Sequence, residues 1–326
     1  MNIFFKKPQK KNAQCDIKLE NKYYPTKYNE PLKKDMAIIM VYFNCNESVR
    51  LSQNILLVKQ YLDNAKIPYY IGELSIDGSP YLFSESDNIF QYKTDDYMFF
   101  KENLINLVEE RISDEYTKIC NLDADIFFDN PNWYSLVSEE LDKYEIYQPF
   151  YQANWLNIEN NTIIMRQKNC VIDNSRGHPG FVWAFTRKWF NVNKLPDYFV
   201  IGSGDTGFQE IIVNNNVVAN INTGNHTYLI DMIDEYKENI IDINVTIGSA
   251  DNNINVYHLY HGSIKNRQYV DRHIAIKNTI NQFNPVKYSE ILDYDANGLR
   301  CWKAEYKMTM NNFIKKYMQN RKDDSI

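Results

Sequence analysis

No stretch of this 326-residue chain approaches the roughly 20 consecutive apolar residues that a membrane-spanning helix requires. The opening residues, Met-Asn-Ile-Phe-Phe-Lys-Lys, lack the apolar core of a secretory signal. The cysteines, at positions 15, 45, 120, 170 and 301, are odd in number, far apart and never arranged as C-x-x-C. That excludes a zinc ribbon or a disulfide framework and points to reduced thiols in a cytoplasmic setting. A basic excess is missing too: 36 Lys and Arg stand against 42 Asp and Glu, a net charge of −6. No electrostatic footprint for nucleic acid follows from such a balance. Internal repeats and low-complexity linkers are absent. The N-x-S/T sequons at Asn46, Asn160, Asn225 and Asn244 read as chance in so Asn-rich a chain.

What is present suits a large folded unit. Hydrophobic residues make up 44% of the chain, including 25 Tyr and 17 Phe, enough for one large domain or two small ones. Residues 1–34 are Lys- and Asn-rich and read as an extension; the cluster Lys6, Lys7, Lys10 and Lys11 is a solvated tail. Met36 to Phe43 is an unbroken apolar run of strand length, as expected for a parallel strand buried on both faces. Leu51, Ile55, Val58 and Leu62 then share one helical face, with Asn46 or Ser48 as the cap. A second strand over Ile67 to Ile71 completes a βαβ unit. A helix is predicted over Asp96 to Arg111, with Leu104, Val108 and Ile112 facing inward.

That helix leads to the stretch around which the chain is organised, Lys118 to Asn130, reading K-I-C-N-L-D-A-D-I-F-F-D-N. On an extended backbone Asp123 and Asp125 point the same way and could converge on one ion. Hard cations such as Mg²⁺ or Mn²⁺ take oxygen ligands and leave positions open for phosphates. In open α/β sheets ligands bind beyond the carboxyl ends of the strands, where these two residues are placed. By the same reasoning Asn44, Glu73 and Lys101, at strand ends or on the helix feeding this strand, are expected around the ligand.

Further on, a helix is expected near Tyr134 to Lys143, a strand over Glu145 to Phe150, and a mobile polar loop region with short strands over 152–177. Next comes H-P-G-F-V-W-A-F at 178–185, with a helix starting from Thr186. In it Gly180 and Trp183 could offer an apolar face to a sugar ring, although Trp183 equally reads as core. I-G-S-G-D at 201–205 opens another helix; Asp205 is either its cap or a general base. The strand Asn255 to His261 ends with two histidines, either of which could add a nitrogen ligand to the carboxylates. Lys265 and Arg267 just beyond could hold phosphate oxygens. The last 50 or so residues read as helical and ancillary.

In this order the segments resemble a family, the GT-A-type glycosyltransferases that carry a D-x-D metal motif, with an order similar to the inverting galactosyl- and N-acetylgalactosaminyltransferase-like enzymes. Asn44 after the first strand, Lys101-Glu102-Asn103 and Asp123-Ala124-Asp125 match the donor half; Gly180 to Ala184, Gly202 to Asp205 and Val256 to His258 match the acceptor half. The resemblance spans about residues 36–275. It implies a mostly parallel α/β GT-A domain over 35–275, with a nucleotide-sugar half at 35–135 and an acceptor and metal half at 145–275, followed by a helical extension at 276–326. It also implies Mn²⁺ or Mg²⁺ held by Asp125 and His258, with Asp123 on the ribose or the metal, His261 as a competing ligand, and Asp205 as base. The implied partners are a nucleotide-diphosphate sugar, UDP-linked by expectation, and a hydroxyl of a glycan or other acceptor. The family's Glu-Asp pair is replaced here by Ser203-Gly204-Asp205, which leaves a retaining mechanism open. A nucleotidyltransferase would carry glycine and basic residues after the first strand, where Asn44-Cys45-Asn46-Glu47 stands. A non-catalytic carbohydrate-binding protein would need neither the acidic pair nor the histidines.

Overall fold

The first strand shows why the chain layers as it does. Strand β1 (Met36–Phe43) sends alternate side chains to opposite faces, as period 2 requires. Ala37 and Ile39 join one core cluster; Met36, Ile38 and Met40 join the other. Helix α1 (Val49–Asn64) closes the second face with Ile55, Val58 and Leu62, capped by Ser48, whose side chain accepts the Leu51 N–H. The computed structural model describes residues 25, 27–213, 227–240, 245–263, 271–283, 287–321 and 323–324. Lys265, Arg267 and the N-terminal basic cluster lie outside them.

Strand β2 (Tyr69–Ile76) runs five residues past the expected Ile71. It can do so because buried Glu73 accepts hydrogen bonds from the Leu82 and Phe83 amides and from Gln91. Strand β3 (Ile89–Thr94) pairs with it in parallel. Helix α2 (Lys101–Glu109) covers the first face with Leu104 and Val108. It starts five residues later than expected because Tyr97 donates its N–H to Asn311 and Asp96 accepts from Asn311 and Lys307, so this segment is tied to the C-terminal helix instead.

Strand β4 (Lys118–Leu122) pairs in parallel with β1, and a turn then leads to β5 (Ile126–Phe128). Helix α3 (Trp133–Glu140) and strand β6 (Ile146–Gln148) follow. The short strands expected in the polar stretch are an antiparallel pair, β7 (Gln152–Leu156) and β8 (Ile163–Lys168), with a register shift at Trp155/Leu156. On β8 the burial alternates, because Ile163 and Met165 pack against the core while Ile164 faces outward. Strand β9 (Val182–Thr186), helix α4 (Arg187–Asn193), the short helix α5 (Gly204–Phe208) and a π-helical turn at Gln209–Val213 come next. Helix α6 (Thr227–Asn239), strands β10 (Ile247–Ser249) and β11 (Asn255–His258), helix α7 (Asp271–Ile280), the hairpin β12 (Leu292–Tyr294) and β13 (Arg300–Trp302), and helix α8 (Ala304–Asn320) complete the order.

The protein is therefore α/β. Its seven-stranded sheet has the order β10-β6-β9-β4-β1-β2-β3; among these strands β9 alone is antiparallel to its neighbours, and helices lie against both faces. A second sheet, β5-β11-β7-β8, stands beside it. No helix among the described residues is long and apolar enough to cross a membrane. The described cysteines, Cys45, Cys120, Cys170 and Cys301, form no disulfide.

Candidate functional site

From β1 the chain moves to β2 and β3 on one side and then returns to place β4 on the other. Such a reversal opens a crevice beyond the carboxyl ends of β1 and β4, the usual ligand position in this architecture. Because β9 runs the opposite way, its entry reaches the same edge: the Asp123 N–H donates to the Phe181 carbonyl at 2.9 Å. The N-terminus of α2 brings Lys101 and Glu102 to it. A cavity of ≈ 240 Å³ lies there.

Asp123 and Asp125 do not occupy the extended strand expected of them. They lie in the turn after β4, closed by the Ile126 N–H donating to the Asp123 carbonyl at 3.2 Å. Period 2 is lost in a turn, and the carboxylates part. Asp123 pairs with Lys101 at 2.5 Å, while Asp125 faces the histidines.

Strand pairing explains that second encounter. Strand β11 is antiparallel to β5 with His258 opposite Ile126, and the Leu259 N–H donates to the Asp125 carbonyl at 2.8 Å. The Asp125 Oδ2 thus lies 3.6 Å from His258 Nε2 and 2.9 Å from His261 Nε2, and the two nitrogens are 3.1 Å apart. Donors sharing one ion through bonds of about 2.1 Å lie about 3.0–3.4 Å apart at right-angle to tetrahedral geometry. The observed separations of 2.9, 3.1 and 3.6 Å bracket that range, and Asp125, His258 and His261 form a group that could hold a divalent cation among the described residues. Asp123 stands apart from it, on Lys101.

The surroundings hold the histidines in place. The Phe181 ring stacks on His258 with centroids 5.0 Å apart, and it does so from a backbone φ of +79°, a conformation costly for an aromatic residue. On the far side of His261 lies Asp323, its Oδ1 3.6 Å from Nδ1. Burial works against the Asp323 charge, but His261, Arg321 and Asn46 outweigh it and hold the carboxyl below the ordinary range.

Asp205 faces the cavity from the first turn of α5. Ser203 takes the cap position with φ +81°, but its hydroxyl is bonded to Arg272 at 2.9 Å and His273 at 3.1 Å and makes no cap bond, whereas the Asp205 Oδ1 accepts the Thr206 N–H of the first turn at 2.8 Å. A Cβ at Gly180 would collide with the Asp205 carboxylate, and one at Gly204 with that of Glu102, so either side chain would have to shift if its glycine were replaced. Burial pushes the Glu102 carboxyl up to about 8, with Asp205 and Asp123 reinforcing and Lys101 opposing. Burial would discharge Lys101, but Asp123, Asp205 and Glu102 more than compensate and raise it. With Glu102 held largely protonated, the cavity wall carries the carboxylates of Asp123, Asp125, Asp205 and Asp323 against the cations Lys101, Arg272 and Arg321. That imbalance also favours a bound cation.

Three expected residues are placed elsewhere. Asn44 staples its own loop, its amide oxygen accepting from the Ser48 N–H at 2.9 Å, and its neighbour Asn46 lines the cavity instead. Glu73 is buried on the 82–83 amides away from the cavity. Trp183 is core, packed on Phe208; its Nε1 donates to the Pro179 carbonyl at 2.7 Å and so braces the turn at Gly180 from below. Sequence reasoning missed His178, Arg272, Arg321 and Asp323. His178, next to the quoted Gly180 segment, could have been found; the others come from distant helices and a tail with no local signal.

No protein-family model matches the sequence, and no curated protein matches it either. Among solved structures, the chain is similar to Drosophila β1,4-galactosyltransferase 7 in complex with manganese, UDP-Gal and xylobiose, at 17% identity over 55% of this chain with a TM-score of 0.35; it spans 61% of that protein. Mannosyl-3-phosphoglycerate synthase from Rubrobacter xylanophilus is matched at 10% identity over 81% of this chain and 82% of the other, with a TM-score of 0.34. Mannose-1-phosphate geranyltransferase from Thermus thermophilus is matched at 9% identity over 70% and 75%, with a TM-score of 0.31. Likeness this distant assigns no family, and the chemistry has to be read from the site.

Proposed function

We propose that the protein is a metal-dependent GT-A-type glycosyltransferase that moves a sugar from a nucleotide-diphosphate sugar to an acceptor hydroxyl. The observation that carries this reading is one cavity at the reversal point of the sheet that joins the Asp125–His258–His261 group to Lys101 and Asp205. Asp125, His258 and His261 would hold Mn²⁺ or Mg²⁺; when bound, the ion supplies a Lewis acid for the charge of a departing diphosphate. The mixed nitrogen and oxygen donor set suits Mn²⁺ better than Mg²⁺.

Asp205 acts as base. It takes the proton of the acceptor hydroxyl as that oxygen bonds to the sugar's anomeric carbon and the bond to the diphosphate oxygen breaks, an inverting displacement. A positioned base of this kind contributes about 10²–10⁴-fold. Glu102, held largely protonated at neutral pH, adds no second full charge beside Asp205. Lys101 stays charged between Asp123 and Asp205 and offsets the carboxylates as the donor phosphates enter.

The test is a panel of nucleotide sugars with Mn²⁺, scored for released nucleoside diphosphate. Turnover should vanish in excess chelator and in Asp125→Ala; full activity in either overturns the metal role. Asp205→Asn should lower transfer by about two orders of magnitude while donor affinity persists. Near-normal transfer in that variant ends the base assignment and favours a retaining reaction.

A further inference from the structure

The C-terminal tail makes the least expected contacts in the molecule. Helix α8 ends at Asn320, and Arg321 leaves it in an extended conformation. The chain then crosses the loop after β1. Asp324 accepts from the Ser48 hydroxyl at 2.6 Å and from the Val49 and Arg50 amides at 2.9 and 3.0 Å, so it satisfies the open N-terminus of α1. Asp323 turns inward and is only 2% exposed. Its Oδ2 accepts from Asn46 at 2.6 Å, and its Oδ1 accepts from Arg321 at 2.9 Å and lies 3.6 Å from His261 Nδ1.

A buried carboxylate is expensive unless its neighbours satisfy it, and an anchor for a tail needs no charge against a histidine. The histidine in question points its other nitrogen at Asp125 and His258. A carboxylate beyond a ligating imidazole favours the tautomer with hydrogen on the far nitrogen and orients the ring; here the pair stands at ion-pair distance, 3.6 Å. Asp324 locks the tail to α1, so the carboxylate is held from outside the site it serves.

We propose that the tail is a working part of the metal centre: Asp323 is the positioning residue for His261, and the docking of Asp324 on α1 keeps it there. This rests on the metal-dependent reading above. It extends that reading by making cation affinity depend on residues outside the ligand group.

The experiment measures Mn²⁺ affinity directly, by the electron paramagnetic resonance signal of free Mn²⁺ on titration into the 326-residue chain, alongside the melting temperature in chelator. Asp323→Ala should weaken Mn²⁺ binding by about 10–100-fold. Asp323→Asn keeps an acceptor for the Nδ1 hydrogen and should recover part of that loss. Asp324→Ala, which loosens the tail without removing any group that faces the ion, should weaken binding by a smaller factor. If Asp323→Ala and Asp323→Asn melt lower in chelator but bind Mn²⁺ as tightly as the parent, Asp323 is only an anchor and the proposal fails. His261→Ala and His258→Ala separate the two levels. If they abolish binding while Asp323→Ala does not alter it, only the positioning role is lost. If they bind normally, the ligand group itself is misplaced, and the tail proposal falls with it.

Discussion

At the scale of single residues, the site depends on side chains that are absent as much as on those present. Gly180 leaves just enough room for the Asp205 carboxylate, and Phe181 beside it holds a strained backbone so that its ring lies against His258. Gly180→Ala should therefore push Asp205 out of line while leaving the sheet intact. The expected outcome is a fall in transfer of about tenfold or more, since small misplacements of a reacting group are costly. Mn²⁺ affinity should stay near normal, because none of the three proposed ligands adjoins the new methyl. Transfer kinetics beside Mn²⁺ titration check this, and a fully active Gly180→Ala enzyme would remove Asp205 from the reaction centre.

Among the elements, α2 is the one on which the site leans. Its first turn delivers Lys101 and Glu102, and its far end is gripped by Arg187 from α4. The guanidinium of Arg187 bonds the Glu109 carboxylate at 2.6 Å and the Glu109 and Ile112 carbonyls at 3.1 and 3.0 Å. Arg187→Ala would leave those carbonyls open and Glu109 with Lys194 as its remaining partner, at 2.7 Å. A loss of about 3 kcal/mol is expected in urea unfolding, and Arg187→Lys should not restore it, since an ammonium lacks the fork. Glu102 makes the same helix sensitive to pH. Its carboxyl is held up to about 8 in the fold against 4.5 in the unfolded chain. Below the unfolded value both states are protonated and nothing is lost. As pH rises through the window up to about 8, the unfolded chain sheds the proton first, and folding stability falls. In chelator, the slope between pH 5 and 8 should amount to a few kcal/mol and flatten in Glu102→Gln. An unchanged slope would mean that Glu102 ionises normally.

Across the whole molecule, the proposed ligands come from two places in the chain, the turn before β5 and the end of β11, with the tail after α8 behind them. A cation bound by the folded state alone must stabilise it by linkage. At a free Mn²⁺ concentration 100 times the dissociation constant the gain is about 2.7 kcal/mol, a shift of several degrees for a domain of this size. Chelator should reverse it, and His258→Ala should abolish it. A melting temperature indifferent to Mn²⁺ over that range would leave the ligand group without its ion.

The sequence by itself determined the open α/β class, because an unbroken apolar run such as Met36–Phe43 can only be buried on both faces, and the spacing of Leu51, Ile55, Val58 and Leu62 allows only one helical face. It also singled out Asp123, Asp125, His258 and His261 as candidate ligands, since acidic and imidazole groups at the ends of apolar runs announce themselves locally. Tertiary structure alone decided how these residues meet. The antiparallel pairing of β11 with β5 sets His258 opposite Ile126, and the turn after β4 sends Asp123 to Lys101 and Asp125 to the histidines. It likewise decided that Glu73 and Trp183 serve the core, and that Arg272 and Asp323 border the cavity. The reason is range: periodicity and capping act over a few residues, whereas Asn46 and Asp323 touch across nearly the full length of the chain. A contact of that span leaves no pattern in either neighbourhood.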